Sequence, residues 1–244
     1  MRITAKGLSF RALNQLIREC VQKGAREIEI VEVNGQRYIG AGIDSHVIIV
    51  IQGTPGNDLG AFAQSPKIIV YGNAEDGVGN TMDNGEIFIH GNAGDIVGYS
   101  MRGGKIYIKG NAGYRVGIHM KEYRDHFPII VIGGTARDFL GEYMAGGRII
   151  VLGLNGSDEE IVGEYVGTGM HGGKIFVRGK VCEDQLGTGV GIRPMTNEDW
   201  AEIKGLLTEY CAVFKTSLTD VLENSYTKIV PTTYRPYEKT YILT

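Results

Sequence analysis

Residues 67–74, Lys-Ile-Ile-Val-Tyr-Gly-Asn-Ala, recur as Glu-Ile-Phe-Ile-His-Gly-Asn-Ala at 86–93 and Lys-Ile-Tyr-Ile-Lys-Gly-Asn-Ala at 105–112. Looser copies follow: Pro-Ile-Ile-Val-Ile-Gly at 128–133, Arg-Ile-Ile-Val-Leu-Gly at 148–153 and Lys-Ile-Phe-Val-Arg-Gly at 174–179. An opening copy, His-Val-Ile-Ile-Val-Ile-Gln-Gly at 46–53, is longer before its glycine. Starts at 46, 67, 86, 105, 128, 148 and 174 give spacings of 21, 19, 19, 23, 20 and 26 residues. Seven units therefore cover residues 46–191.

Each unit carries a second block: an aliphatic residue, Gly, two variable residues and then usually Met. It reads Leu59-Gly60, then Val78-Gly79 with Met82, Val97-Gly98 with Met101, and Val116-Gly117 with Met120. It continues as Leu140-Gly141 with Met144, Val166-Gly167 with Met170, and Leu186-Gly187 with Val190. Several units close on a Gly pair, as at Gly103-Gly104, Gly146-Gly147 and Gly172-Gly173.

The first block alternates with period two and is rich in β-branched and aromatic residues, so it reads as a short strand with an apolar face. A period near 20 leaves about 15 residues for everything else, whereas a helical crossover unit needs about 30. The chain must instead coil, laying each strand parallel on the last, about 4.8 Å away. Gly60, Gly79, Gly98, Gly117, Gly141, Gly167 and Gly187 are then structural corner residues, and Met82, Met101, Met120, Met144 and Met170 an inward ladder of adaptable filler. Asn73, Asn92 and Asn111 are expected to stack at one corner and hydrogen-bond along the stack. The fold class is an all-β solenoid, a parallel β-helix of about seven turns.

Both flanks differ from the repeat. Residues 1–45 read as an N-terminal cap. It holds an amphipathic helix from Ser9 to Gly24, then a hairpin that runs Glu27 to Val33, turns at Asn34-Gly35 and returns through Gln36 to Ile39. Residues 192–244 read as a C-terminal cap. A capping box at Thr196 and Asp199 opens a helix through about Phe214 and a short one follows at Ser217–Asn224. The tail from Ser225 to Thr244, with Tyr226, Tyr234, Tyr237 and Tyr241, reads as an extended, partner-docking strap.

Composition narrows the function. Of 244 residues 37 are Gly, about twice the ~7 % of average usage, yet no glycine recurs at every third position and 43 % of residues are hydrophobic. Collagen and disorder are excluded. With 25 Lys plus Arg against 28 Asp plus Glu, the net charge is −3, which gives no electrostatic reason to bind nucleic acid or an anionic membrane. The three cysteines, Cys20, Cys182 and Cys211, are far apart in sequence and form no disulfide or cluster-binding pattern. No signal peptide or membrane span is visible, so a soluble, cytoplasmic protein is expected.

Motifs that would carry chemistry are few. Gly167-Thr-Gly-Met-His-Gly172 formally matches the dinucleotide fingerprint, but the residues after it read as a strand, not a helix. His119, His126 and His171 lie near glutamates such as Glu122 without metal-ligand spacing, and read as solvated wall residues. The acidic insertion Asp158-Glu159-Glu160 lacks a second carboxylate at glycosidase geometry, and Cys20 sits on an apolar helix face. No catalytic, cofactor-binding or metal residue is assigned.

The repeats resemble a known family. Gly94-Asp95-x-Val97-Gly98-x-x-Met101-x-Gly103-Gly104-Lys105-Ile106 is similar to the GXGXG repeat. That repeat occurs in the C-terminal domain of the large subunit of glutamate synthase and in a β-helical subunit of formylmethanofuran dehydrogenase. Gly53-Thr-Pro-Gly-Asn-Asp-Leu-Gly-Ala-Phe62 and Glu142-Tyr-Met-Ala-Gly-Gly-Arg-Ile-Ile-Val-Leu-Gly153 resemble the synthase in particular. The resemblance implies a right-handed β-helix that carries no catalytic residue. In glutamate synthase it spaces a glutaminase from an FMN and iron–sulfur synthase centre, which together convert glutamine and 2-oxoglutarate to two glutamates. Residue 2 is Arg, where the glutaminase has its nucleophilic Cys, and cluster-binding cysteines are lacking. The chain therefore resembles a separately encoded scaffold subunit that is silent in catalysis when alone, with FMN and clusters in its partners and self-association open. Two alternatives stand: a structural subunit of a formylmethanofuran dehydrogenase-like complex, and a stand-alone solenoid enzyme or carbohydrate-binding module.

Overall fold

A computed structural model describes residues 1–155 and 160–233. The chain opens with strand β1 (Arg2–Thr4), helix α1 (Phe10–Gln22) and β2 (Glu27–Asn34). The coiled region adds β3 (Ile48–Thr54), β4 (Lys67–Tyr71), β5 (Glu86–Ile89), β6 (Lys105–Ile108), β7 (Ile129–Ile132), β8 (Ala145–Val151) and β9 (Gly172–Arg178). It ends with β10 (Val190–Arg193), α2 (Asn197–Phe214), α3 (Leu218–Leu222) and β11 (Tyr226–Pro231). All strands join one eleven-stranded sheet, parallel and in sequence order from β1 to β9. The architecture is a parallel β-solenoid.

Register makes the columns explicit. Ile49, Ile68, Ile87, Ile106, Ile130, Ile149 and Ile175 pair in series, and all are buried in one core with Met82, Met101, Met120, Met144 and Met170. Two of the starts expected from sequence shift. Lys67 pairs with Ile48, not His46, and Lys105 pairs with Ile129, not Pro128. The second shift, of one residue, restores face parity, because the Pro128 register would turn Ile130 and Ile132 out of the core; the first, of two residues, leaves parity unchanged.

The corners depend on left-handed backbone. Gly60, Gly79, Gly98, Gly117, Gly141 and Gly167 have φ between +65° and +72°. A Cβ on Gly98 would lie 2.5 Å from Ile130 Cδ1, two strands further on. Gly40, with φ +74°, belongs to the same column: its Cβ would meet Ile68 Cδ1 at 2.7 Å. Gly187 does not share this conformation. Val166 bridges Leu186, so the unit is in register, but Gly187 is small because the Thr168 backbone lies 2.5 Å from where its Cβ would be.

The expected hairpin is absent, and the reason is the same column logic. Strand β2 pairs parallel with both β1 and β3, stacking Ile28 and Ile30 on Ile49 and Ile51. Asn34-Gly35 begins a coil corner, and Ile39-Gly40-x-x-Ile43 is a further copy of the second block. Burying that rung secures more apolar surface than an isolated two-stranded ribbon. Helix α1, N-capped by Ser9, buries Leu13 and Ile17 against the same core and covers the first rung.

The C-terminal region differs most from expectation. Helix α2, opened by the reciprocal Thr196–Asp199 capping box, lies against the outer wall of the sheet. There Ile203, Leu207, Tyr210 and Phe214 cluster with the outward residues Phe88, Tyr107, Val131, Ile150 and Phe176. The tail is not a free strap: β11 pairs antiparallel with β9 and β10, Ile229 enters the solenoid core, and the Tyr226 hydroxyl donates to the Val221 carbonyl. Pairing with β11 covers the edge that β9 would otherwise expose. Tyr234, Tyr237 and Tyr241 lie outside the described residues.

Candidate functional site

Three surfaces come together on this scaffold: the α2 seam, a groove at the strand starts, and a groove on the coil corners.

The α2 seam is a charge zipper. Outward residues near the strand starts are basic: Lys105 on β6, Arg148 on β8 and Lys174 on β9. Helix α2 presents carboxylates on one stripe: Lys105 Nζ reaches Glu209 at 2.6 Å, Arg148 Nε reaches Glu202 at 2.5 Å, and Lys174 Nζ reaches Asp199 at 2.7 Å and Glu202 at 3.0 Å. Asp199 is buried and also accepts from Lys228 Nζ on β11 at 2.5 Å. Burial favours its neutral acid, but hydrogen bonds from Lys174, Lys228 and Thr196 outweigh that and hold its pKa well below the usual carboxylate range. Burial likewise opposes the Lys174 charge, yet its bonds to Asp199 and Glu202 raise its pKa overall. Tyr107 donates to Glu209 at 2.8 Å, and burial followed by that carboxylate pushes its phenol up. This seam fastens α2; none of its groups is free to react.

The strand-start groove, about 440 Å³, is lined by His46, Lys67, Glu86, Lys105, Asp125 and His126. Its two lysines and His126 are also engaged. Lys67 pairs with Glu86 at 3.2 Å, Lys105 with Glu209, and His126 Nε2 lies 2.6 Å from the Asp83 carbonyl. His126 thus anchors the 121–127 insertion, where Tyr123 and His126 bridge. Glu122 accepts from the Gly147 N–H at 2.9 Å and pairs with Arg148 at 3.2 Å, a structural post.

The corner groove, about 350 Å³, joins four coils through Tyr99, Ser100, Arg102, His119, Lys121, Tyr143 and His171. His119 stacks on Tyr143 with centroids 5.3 Å apart, and Tyr99 meets His119 edge-on at 6.1 Å. Ser100, His119 and Tyr143 all have left-handed backbone, φ +52° to +56°, two residues after a corner glycine. Arg102 and Lys121 stand four residues after successive corner glycines. Among the described residues, neither side chain has a hydrogen-bond or ion-pair partner. The other expected histidine, His171, rests Nδ1 3.3 Å from the Gly169 carbonyl.

The asparagine column exists and bonds along the stack, mostly to backbone N–H groups and once amide to amide, the Asn155 Nδ2 donating to Asn111 Oδ1 at 2.7 Å. Asn73 Oδ1 accepts from the Asn92 N–H and Asn92 Oδ1 from the Asn111 N–H, each at 2.8 Å, and Asn111 passes the ladder to Thr135. A parallel aspartate ladder has no counterpart in the sequence reading: Asp76 accepts from the Asp95 N–H and Asp95 from the Tyr114 N–H. These polar columns act on the backbone, not on a ligand. The segment Gly167–Gly172 is a corner leading into β9, not a phosphate loop before a helix. Cys20 packs on the core, Cys211 is buried with its thiol pKa raised by burial, and Cys182 is exposed. Asp158 and Glu159 lie outside the described residues; Glu160 accepts from Gln185 at 3.3 Å. Among the described residues there is no group of three or more His, Cys, Asp or Glu suited to a metal ion, and no helix long and apolar enough to cross a membrane.

Corner groove residues escape a sequence reading because each looks ordinary singly. The signal lies in the aligned units: the position after the methionine runs Asp83, Arg102, Lys121, Ala145, His171.

The chain is similar to known sequences. The family described as GXGXG motif matches residues 22–235. An uncharacterized protein of Methanocaldococcus jannaschii is 46% identical over 248 aligned residues, covering 98% of this chain and 95% of its own.

Proposed function

Because the chain belongs to the GXGXG motif family, matched over residues 22–235, we propose that it is the β-helical scaffold subunit of a multi-subunit glutamate synthase. In this reading it holds a glutaminase chain and an FMN and iron–sulfur synthase chain in fixed relation while they make two glutamates from glutamine and 2-oxoglutarate. The family match carries the reading. The side chains support it: inward residues fill the core, and the carboxylates and lysines of the α2 seam are committed to one another. The three cysteines lie in α1, after β9 and in α2. The flavin and clusters are assigned to the partner chains.

The test is purification of the tagged chain from its native cells, with the recovered polypeptides identified and their flavin measured. Recovery of an FMN-bearing synthase chain and a glutaminase chain, whose glutamine-dependent glutamate formation falls when this chain is depleted, is the expected result. Recovery of molybdopterin-enzyme subunits instead would overturn it in favour of a formylmethanofuran dehydrogenase-like assembly.

A further inference from the structure

The corner groove differs in charge from the ion-paired sites of the molecule. Lys105, Arg115, Arg148, Lys174 and Lys228 each face a carboxylate. Arg102 and Lys121 face none, and no carboxylate lines their groove although the chain as a whole carries a net charge of −3. Beside them stand Tyr99, His119 and Tyr143, and Tyr143 is 46% exposed. Tyr and Arg are the side chains that dominate binding energy at protein interfaces, since they offer large contact area and, for Tyr, little rotamer entropy to lose.

The column two residues after the corner glycine is left-handed in each coil. Gly42 and Gly169 occupy it at the two ends, and Phe62, Thr81, Ser100, His119 and Tyr143 in the coils between. The corner is thus a property of the fold, and successive coils hold Ser100, His119 and Tyr143 side by side along the groove.

Resting on the scaffold reading, we propose that Tyr99, His119, Tyr143, Arg102 and Lys121 form the docking surface for an acidic segment of a partner polypeptide. Its carboxylates pair with the two unpartnered cations, and its apolar or backbone surface lies on the stacked rings. The groove is shallow and spans four coils, which suits an extended segment better than an enclosed small molecule.

The test is the double charge reversal Arg102→Glu with Lys121→Glu in the full chain. Both side chains are exposed, while their backbone N–H groups bond the Met82 and Met101 carbonyls, so the melting temperature should match wild type. Two readouts are taken: retention of the synthase chains, and fluorescence anisotropy of a labelled octaglutamate peptide at low salt. The expected result is a loss of affinity of about tenfold or more in both, with the salt dependence flattened, and recovery by Arg102→Lys with Lys121→Arg. No peptide binding by wild type, or equal binding by the reversed variant, overturns the surface. Synthase chains held equally by both proteins overturn it too, and leave the scaffold reading standing. If wild type retains no such chains but peptide binding is lost on reversal, the scaffold reading fails and the acidic-segment site survives.

Discussion

Replacing Gly98 by Ala tests the stacked-coil geometry at one atom. At φ +68° an L-residue costs about 1–2 kcal/mol. The new Cβ would also sit 2.5 Å from Ile130 Cδ1, a terminal methyl that escapes only by leaving its rotamer in a filled core. Overpacking of that kind costs about 1–3 kcal/mol. The total for Gly98→Ala is therefore about 2–5 kcal/mol, and Gly98→Val, with two further methyls at a β-branched centre, should exceed it.

The two contributions separate in a double-mutant cycle. Ile130→Val removes the clashing Cδ1 at a cost of about 0.5–1.5 kcal/mol. In the Gly98→Ala background that same deletion relieves the overlap, so the pair should lose about 1 kcal/mol less than the sum of the singles. Guanidinium unfolding followed by far-UV circular dichroism and by Trp200 fluorescence supplies the four free energies. Coincidence of the two probes checks that the unfolding is cooperative. Additive losses would refute the stacking of one coil's corner on the strand two turns on, and a Gly98→Ala cost under about 0.5 kcal/mol would refute the left-handed corner as well.

Three other outcomes are expected. Asp199→Ala, which strands Lys228 at a buried seam and leaves Lys174 with Glu202 alone, should cost about 3–5 kcal/mol. It should also red-shift the emission of Trp200, which meets Tyr226 edge-on at 5.7 Å; unchanged emission counts against the zipper. Since folding lowers the Asp199 pKa from the ordinary 3.8, its contribution is complete above that value and lost as pH falls below it. The Trp200 signal should therefore change in acid below about pH 4, and the Asp199→Ala protein should lack that transition. Gly205→Ala, in the α2 interior with open space around its Cβ, should stabilise by about 0.5–1 kcal/mol in thermal unfolding. Truncation before Ser225 should bare β9 and produce aggregation by light scattering, because β11 is part of the sheet; a monomeric, fully folded truncation would contradict that topology.

The solenoid is legible because its information is repetitive. A strand block and a glycine block recurring about every 20 residues leave few ways to bury both, and each copy checks the others. Where the copies vary, legibility fails. The coil closed by Ile39-Gly40 reads as half of a hairpin because Asn34-Gly35 is a strong turn signal locally, while the deciding contact, β2 on β3, is remote. The register at Pro128 slips by one because the run Ile129-Ile130-Val131-Ile132 leaves the facing parity undefined until a neighbouring strand fixes it, while that at His46 slips by two, which keeps the same faces and leaves no mark in the pattern. The corner groove depends on residues about 20 positions apart that meet only after coiling, and on unpaired charge, which a linear sequence does not display.

The outward strand positions show which wall the chain covers itself. In register they run Ile69, Phe88, Tyr107, Val131, Ile150, Phe176. A wall facing water would alternate polar residues there, whereas a strand buried on both faces reads as a continuous apolar run. The Ile-Phe-Ile, Ile-Tyr-Ile and Ile-Ile-Val blocks thus already imply a cover over β5 to β9, and α2 is that cover, fixed by carboxylates that neutralise the basic strand starts. With the sheet wall occupied by the chain's own helix, a partner that used it would have to displace a fully paired ionic seam. The corner wall presents the opposite balance, with unpaired cations and exposed rings held out on a left-handed backbone, and docking there breaks no existing contact. Self-coverage of one wall and exposure of the next are therefore two results of the same period, since any residue type repeated once per coil becomes a continuous surface.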